Sequence, residues 1–210
     1  MIISHKYKFI FVKTAKTAGT SIEVELNKIL GAEDVATPIF PSEKSHLAQN
    51  YSYTDPETGD EKLFRNHQSA REIKKIVGTG VFQSYFKFCV DREPVDKCIS
   101  HFSMFLNSPN HQVSDFPKTW DDYVKKGRFP LGVAAYTCSQ GMQLVDRILK
   151  YENLSEELFE VSRMLGFQFD GLHAKAKAGF RENVTVTPEQ RHLIYKKFKH
   201  TAKFTGYTLS

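Results

Sequence analysis

The sequence predicts an α/β fold in which helices flank a P-loop-like parallel β-sheet. Apolar segments of strand length alternate along the chain with segments of helical periodicity, the pattern of βα units. The order strand, polar loop, helix occurs at residues 7–30 and again at residues 84–106. With 210 residues, of which 40% are hydrophobic, the chain is expected to fold as one domain over residues 1–210.

The first predicted βα unit lies within the amino-terminal 31 residues. The opening “MIISHKYKFIFV” reads as one strand, whose end is apolar on both faces, as in the centre of a parallel sheet. The helix that follows has one apolar stripe and a glycine stop at Gly31. The stripe consists of Ile22, Leu26, Ile29 and Leu30.

The next segment is irregular and leads into a second helix. Residues 37–62 are rich in proline, serine, glycine and acidic side chains, which predicts a long loop or insert. A short strand is expected at Lys62–Phe64. The helix predicted at Ser69–Gly78 begins with a capping box, formed by Ser69 and Glu72, and ends at its glycine.

The second half of the chain continues the alternation. A buried strand is predicted at Ser84–Arg92, and another within residues 145–154. Helices are predicted at residues 94–106, 119–127, 155–166 and 187–200. Proline opens the first of them, and serine or threonine caps the others. Because ligands of such sheets bind at the carboxyl ends of strands, the site is expected where residues 13–21, 65–69 and 91–94 meet.

Composition excludes several classes of protein. The net charge of +5 comes from lysines spread over the chain, so no nucleic-acid partner is expected. Cys89, Cys98 and Cys138 lack metal-ligand spacing and are expected to be reduced thiols. No segment reads as a signal peptide or a membrane span, which predicts a cytoplasmic protein with no membrane partner.

The segment “FVKTAKTAGTSIE” (residues 11–23) has the composition of an anion site. It places Lys16, Gly19, Thr20 and Ser21 at a helix start, where free N–H groups and the helix dipole attract anions. The lysine precedes the glycine by three residues, so the loop is not a Walker A motif. A hydroxyl-rich helix cap without a ligand is the alternative interpretation.

A second segment, “VDREPVDKCISHF” (residues 90–102), also suits a phosphate. Arg92 leaves a buried strand at its carboxyl end, and Ser100 follows eight residues later on a helix. Lys97 is expected one turn before Ser100 on the same helix face. A guanidinium fork and a hydroxyl placed in this way can close on one phosphate. Taken alone, the segment would be better explained by a surface arginine and an exposed helical serine.

Together the two segments resemble those of sulfotransferases that use 3′-phosphoadenosine 5′-phosphosulfate (PAPS). “KTAKTAGTSIE” is similar to the 5′-phosphosulfate loop of that family, and “VDREPVDKCIS” to its 3′-phosphate motif, with the same arginine-to-serine spacing. “ILKYENLSEELFEVSRMLGF” and the tail “TPEQRHLIYKKFKH…FTGY” resemble the carbohydrate branch in particular. Ala15 and Asp91 depart from the usual proline and apolar residue. The resemblance extends over about residues 7–207.

This resemblance implies in-line transfer of a sulfuryl group from PAPS to a hydroxyl or amine, with adenosine 3′,5′-bisphosphate (PAP) as product. The likeness to the carbohydrate branch favours a carbohydrate acceptor. The resemblance implies no metal. Lys16 would neutralise charge on the leaving 5′-phosphate, and Arg92 with Ser100 would hold the 3′-phosphate. Lys13 would add positive field. The 5′-phosphate itself would bind the backbone and hydroxyls of Ala18, Gly19, Thr20 and Ser21.

The acceptor needs a base, and His67 is the best-placed histidine because it lies near the expected carboxyl edge of the sheet. His46 in the insert is its competitor, and His101 is expected on the helix surface. In the family a basic loop covers the donor, which assigns residues 171–183, with Lys177 and Arg181, to the donor site. An ordinary basic loop is the alternative.

Two other function classes remain open at this point. A P-loop kinase or ATPase fits the strand–loop–helix order but lacks the Walker lysine position and an acid for magnesium. A non-catalytic module that binds glycans or RNA fits the basic charge. The full set of lysine, arginine and serine favours the enzyme.

Overall fold

The computed structural model describes residues 1–111, 113–173 and 179–209. Seven strands are present in these residues. They are β1 Ile2–Ser4, β2 Phe9–Val12, β3 Val35–Ala36, β4 Ser52–Thr54, β5 Glu61–Leu63, β6 Phe86–Asp91 and β7 Arg147–Lys150. The central sheet has the order β3-β1-β2-β6-β7, whereas β4 and β5 form a separate hairpin.

Six α-helices surround this sheet in the described residues. They are α1 Gly19–Asn27, α2 Ala70–Ser84, α3 Pro94–Asn107, α4 Trp120–Lys126, α5 Leu154–Leu165 and α6 Pro188–Thr205. Among the described residues, no helix combines the length and apolar character needed to cross a bilayer.

The α/β class is confirmed, but the sheet is mixed rather than parallel. β2, β6 and β7 are parallel, while β1 pairs antiparallel with both β2 and β3. The opening segment is therefore two strands and not one. The polar stretch at residues 5–8 forms a turn between them, and Lys8 adopts the left-handed conformation there, with φ of 54°.

Five further expectations can be compared with the structure. The capping box of Ser69 and the proline at the start of α3 are confirmed. Helix α2 does not end at Gly78 but kinks there, with φ of 80°, and runs on to Ser84. Ser155 is not a cap, because α5 begins one residue before it. The strand predicted at Lys62–Phe64 belongs to the β4–β5 hairpin within the predicted insert and not to the central sheet.

Both faces of the central strands are buried. Phe9, Phe11 and Phe88 pack on one face with α1 and α5, and Ile10 and Cys89 pack on the other with α2. This two-sided burial explains why these strands are continuously apolar. It also places the loops that follow β2 and β6 side by side at one edge of the sheet.

Candidate active site

The carboxyl ends of β2 and β6 open into a cavity of about 1020 Å³. The structure brings together here nine of the residues singled out from the sequence: Lys13, Lys16, Ala18, Gly19, Thr20, Ser21, His67, Arg92 and Ser100. Arg181 is not part of the lining, although it contacts a residue that is. Lys177 lies outside the described residues.

The loop between β2 and α1 has an unusual backbone. Lys16 and Ala18 both have positive φ, 63° and 57°, a region that costs non-glycine residues conformational energy. The hydroxyl of Thr14 anchors the loop, since it donates to the carbonyl of Val90 at the end of β6 and lies 2.9 Å from the Thr17 hydroxyl. The loop is thus held in one strained shape beside the neighbouring strand.

This loop shape leaves the start of α1 facing the cavity. The residue before the helix is Ala18, whose side chain offers no capping group, and the first turn contains no acidic residue. The N–H groups of Gly19, Thr20 and Ser21 are therefore not capped by a side chain at the N-cap, and the positive end of the helix dipole is not offset there. Such a helix start can accept an anion.

Glycine is required at position 19 for space. A Cβ atom there would lie 2.7 Å from Cγ of Lys13, because the lysine stem passes directly over the helix start. The Lys13 ammonium is buried and donates to Glu23 at 2.5 Å and to the Thr20 hydroxyl at 3.3 Å. Burial lowers the pKa of Lys13, although Glu23 opposes this effect. Lys13 is thus a fixed charge, paired on the inner side of the site.

Arg92 joins the two predicted motifs. Its side chain is only 7% exposed, and the guanidinium carbon lies 3.9 Å from the ring centroid of Tyr151. Nε donates to Asp96, and Nη1 donates to the carbonyl of Lys16 at 3.3 Å. A guanidinium has five N–H groups, so three remain for a ligand after these two contacts. The contacts also fix the plane of the fork in advance.

Asp96 holds two arginines and was missed by the sequence interpretation. One carboxylate oxygen accepts from Arg92 and the other from Arg181. Burial would raise the pKa of Asp96, but the two guanidinium groups outweigh it and the pKa is lowered. Its position four residues after Arg92, in the first turn of the following helix, was the available signal. Arg181 is thereby tied to the cavity through Asp96.

Asp91 and Lys97 form a buried ion pair away from the ligand space. The Lys97 ammonium lies 2.6 Å from Asp91, and both side chains are fully buried. The Tyr136 hydroxyl and the Arg92 N–H also donate to this carboxylate. The sequence-based placement of Lys97 on the same face as Ser100 is therefore wrong. The charge of Asp91, which departs from the family pattern, is balanced inside the protein.

His67 presents one ring nitrogen as a base. Its Nδ1 lies 3.2 Å from the carbonyl oxygen of Lys13, and a carbonyl only accepts, so Nδ1 carries the hydrogen and Nε2 keeps its lone pair. Part of the residue is exposed, but burial of the ring by the surrounding protein, and then the charge of Lys13, lower the pKa of His67 to about 4. The ring is therefore neutral at pH 7. The neighbouring Asn66 has a buried side-chain oxygen without a hydrogen-bond partner among the described residues.

His101 and His46 differ from what the sequence predicts. His101 lines the cavity instead of lying on the helix surface, and burial followed by the charge of Lys16 lowers its pKa to about 4. Its Nδ1 lies 3.0 Å from the Tyr123 hydroxyl. His46 is half-buried and is not part of the cavity lining. Of the two, His101 has the better access to a ligand.

Comparison with known proteins gives one result. The family model described as “Sulfotransferase family” matches residues 1–207, which include both motif segments and the cavity. Comparisons with curated proteins and with solved structures gave no match. A match over nearly the whole chain, together with a cavity that combines Lys16, an uncapped helix start and an oriented arginine, is decisive. The chain belongs to the sulfotransferase family and is an enzyme that transfers sulfuryl groups.

Proposed function

We propose that this sulfotransferase takes the sulfuryl group from PAPS and transfers it to a hydroxyl of a glycan. The observation that carries the proposal is the presence of two anion positions in one cavity, the start of α1 and the Arg92–Ser100 pair. A nucleotide with phosphates on both its 5′ and 3′ positions satisfies two such positions at once. The P-loop kinase alternative is not retained, because the chain belongs to a different family.

The 5′ side of the donor suits the loop and helix start. N–H groups of Gly19 to Ser21 and the hydroxyls of Thr20 and Ser21 would hold the 5′-phosphate. Lys16 would neutralise the charge that develops on the bridging oxygen as this phosphate leaves. The strained loop conformation supports this role, because strain of this kind is retained where it orients groups toward a ligand.

The 3′-phosphate suits Arg92, whose three remaining N–H groups and fixed plane favour a bidentate contact. Ser100 would add one hydrogen bond. Arg181, held by Asp96, would add a second positive charge nearby. This part of the site distinguishes PAPS from ATP, which has no 3′-phosphate.

The reaction is an in-line displacement at sulfur. The acceptor oxygen attacks on the side opposite the 5′-phosphate, and a new S–O bond forms while the S–O bond to the donor breaks. The proton of the acceptor hydroxyl passes to Nε2 of His67, and PAP departs with the electron pair of the broken bond. The chain's own contribution is orientation, charge stabilisation and proton acceptance.

Aromatic side chains in the cavity support a glycan acceptor. Phe40 lines the cavity and is 67% exposed. Phe105 and His101 lie together in the lining, with ring centroids 4.8 Å apart. None of these three is needed for the phosphates of the donor. An exposed ring such as that of Phe40 can pack against the apolar face of a sugar ring, and the half-buried Phe105 and His101 add apolar surface beside it, while His67 addresses a hydroxyl.

PAP is expected to raise the melting temperature, whereas AMP and ATP with magnesium are expected to have little effect. Saturation at a hundred times Kd adds about 2.7 kcal/mol of stability, or roughly 5–10 °C for a chain of this size. Differential scanning fluorimetry with the three nucleotides at equal concentration measures this difference. Equal shifts with AMP and PAP would mean that the 3′-phosphate is not recognised.

Arg92→Ala is expected to weaken the binding of PAP by about 1.5–3 kcal/mol, which raises its Kd roughly 10- to 150-fold, because a charge-assisted bidentate contact is lost. Ser100→Ala should cost about 1 kcal/mol, roughly fivefold. Calorimetric titration with PAP and AMP separates the sites, because AMP has only the 5′-phosphate. Arg92→Lys is the matched control that keeps the charge and loses the fork. Wild-type PAP affinity in both alanine variants would contradict the assignment.

A further inference from the structure

Helix α6 carries a basic stripe on its solvent-facing side. His192, Lys196, Lys199, His200 and Lys203 are all exposed and repeat at intervals of four, three, one and three residues. This spacing places them on one face of an α-helix, over a length of about 16 Å. Glu189, in the first turn of α6, lies on the same face next to His192, and the sequence contains no acidic residue after it, so α6 itself places no carboxylate among Lys196, Lys199 and Lys203.

The opposite face of α6 is buried in the protein. Ile194 and Phe198 pack with Val95 and Phe102 of α3. The cavity is lined by other residues of α3, such as Ser100, so the stripe is outside the cavity and separated from it by α3. The stripe is therefore an additional surface and not an extension of the donor site.

The lysines of this stripe are available for a partner. Within the described residues, none of Lys196, Lys199 and Lys203 forms an ion pair or a hydrogen bond with another side chain, whereas many other lysines of the chain do. Three ammonium groups in a row, with no acidic residue between them on the helix, produce a positive potential that attracts a linear polyanion. The even spread of lysines seen in the sequence thus conceals a local concentration on α6.

We propose that this basic stripe, defined by the five residues above, is a docking surface for a linear polyanionic glycan. The proposal rests on the proposed function, since a glycan that is being sulfated is, or becomes, an anionic chain. Two other partners are less well matched. The stripe has no Phe, Tyr or Trp side chain for stacking on nucleic-acid bases. The apolar face that would insert into a membrane is packed against α3.

The test compares two triple variants with equal loss of charge. Lys196→Gln, Lys199→Gln and Lys203→Gln together remove the stripe. Lys8→Gln, Lys44→Gln and Lys75→Gln together remove three exposed lysines from other segments. Binding of heparin, a linear sulfated polysaccharide, is measured by titration at two salt concentrations, and PAP binding is measured on the same samples.

The stripe variant is expected to bind heparin about tenfold more weakly, because each exposed ion pair contributes a fraction of a kcal/mol to about 1 kcal/mol. The control variant should change little, and the difference should shrink at high salt. Equal weakening in both variants, or none in the stripe variant, overturns the proposal, as does stronger stripe-dependent binding of poly(U) RNA. Unchanged PAP binding in all samples shows an intact fold and donor site. Absent PAP binding in the wild type contradicts the proposed function instead.

Discussion

His67→Asn is expected to lower the sulfuryl transfer rate by about 10²–10⁴-fold, the usual contribution of a general base, and to leave PAP affinity near the wild-type value. The base acts on the acceptor and not on the donor, so its loss separates chemistry from donor binding. Asparagine is chosen because His67 has φ of 62°, a conformation that asparagine adopts more readily than alanine. The variant therefore removes the imidazole without forcing the loop to move.

His46→Asn is the matched control for this experiment. It removes a histidine that is close in sequence but does not line the cavity, and it should keep transfer activity. Transfer is measured with PAPS and a panel of glycans, and PAP affinity is measured by calorimetry. If His67→Asn retains full activity while His101→Asn loses it, the base is His101 and the geometry around Nδ1 of His67 serves only to fix the loop.

The pH dependence of the wild-type enzyme provides an independent test of His67. Only the neutral ring accepts a proton, so the rate rises with pH through the pKa of the ring and is constant above it. In the donor-free enzyme this pKa is lowered to about 4 by desolvation and by the charge of Lys13. The negative charges of bound PAPS oppose the effect of Lys13 and raise the pKa. The rising limb of kcat should therefore lie at higher pH than that of kcat/KM for the donor.

The centre of the fold could be predicted from the sequence because β2 and β6 are buried on both faces and show this as unbroken apolar runs. The edge of the sheet formed by β1 could not be predicted in this way. Strand β1 has only three residues, and the polar turn that separates it from β2 is as short as an interruption within one strand. The antiparallel pairing of β1 with β2 and β3 depends on contacts between strands, and the alternation of apolar and polar residues along one strand does not reveal which strands pair.

The candidate site could likewise be predicted only in part. Lys16, Gly19, Arg92 and Ser100 belong to short motifs, and the parallel strands bring these motifs to one edge. Asp96, which orients Arg92 from four residues away, could have been found from its spacing. The ring of Tyr151 and the carbonyl of Lys16 come from distant segments, and no local pattern identifies such partners.

Lys97 illustrates the opposite error. Helical spacing places it beside Ser100, but the buried carboxylate of Asp91 requires a counter-charge and holds the ammonium inside.

Lys16→Met is expected to reduce kcat/KM for the donor by about 10²–10³-fold, the effect of removing one group that stabilises charge in the transition state. Methionine keeps an unbranched stem of similar length, while the charge and the hydrogen bond from Nζ to Sδ of Met104 are lost. Unlike the His67 variant, Lys16→Met should also weaken binding of PAP, because the proposed site places the ammonium beside the phosphate that leaves. Rate and affinity should fall together.

Lys8→Met is the control that isolates this charge from backbone effects. Lys8 also has positive φ, 54°, but it lies in the turn between β1 and β2, away from the cavity. The same substitution in the same backbone conformation should leave transfer unchanged. Lys16→Arg keeps the charge and should recover part of the lost rate if charge, and not the shape of the loop, is what the leaving phosphate requires. A full loss in Lys16→Arg with wild-type PAP affinity would instead assign Lys16 to a geometric role and leave Lys13 as the cation nearest the transferred group.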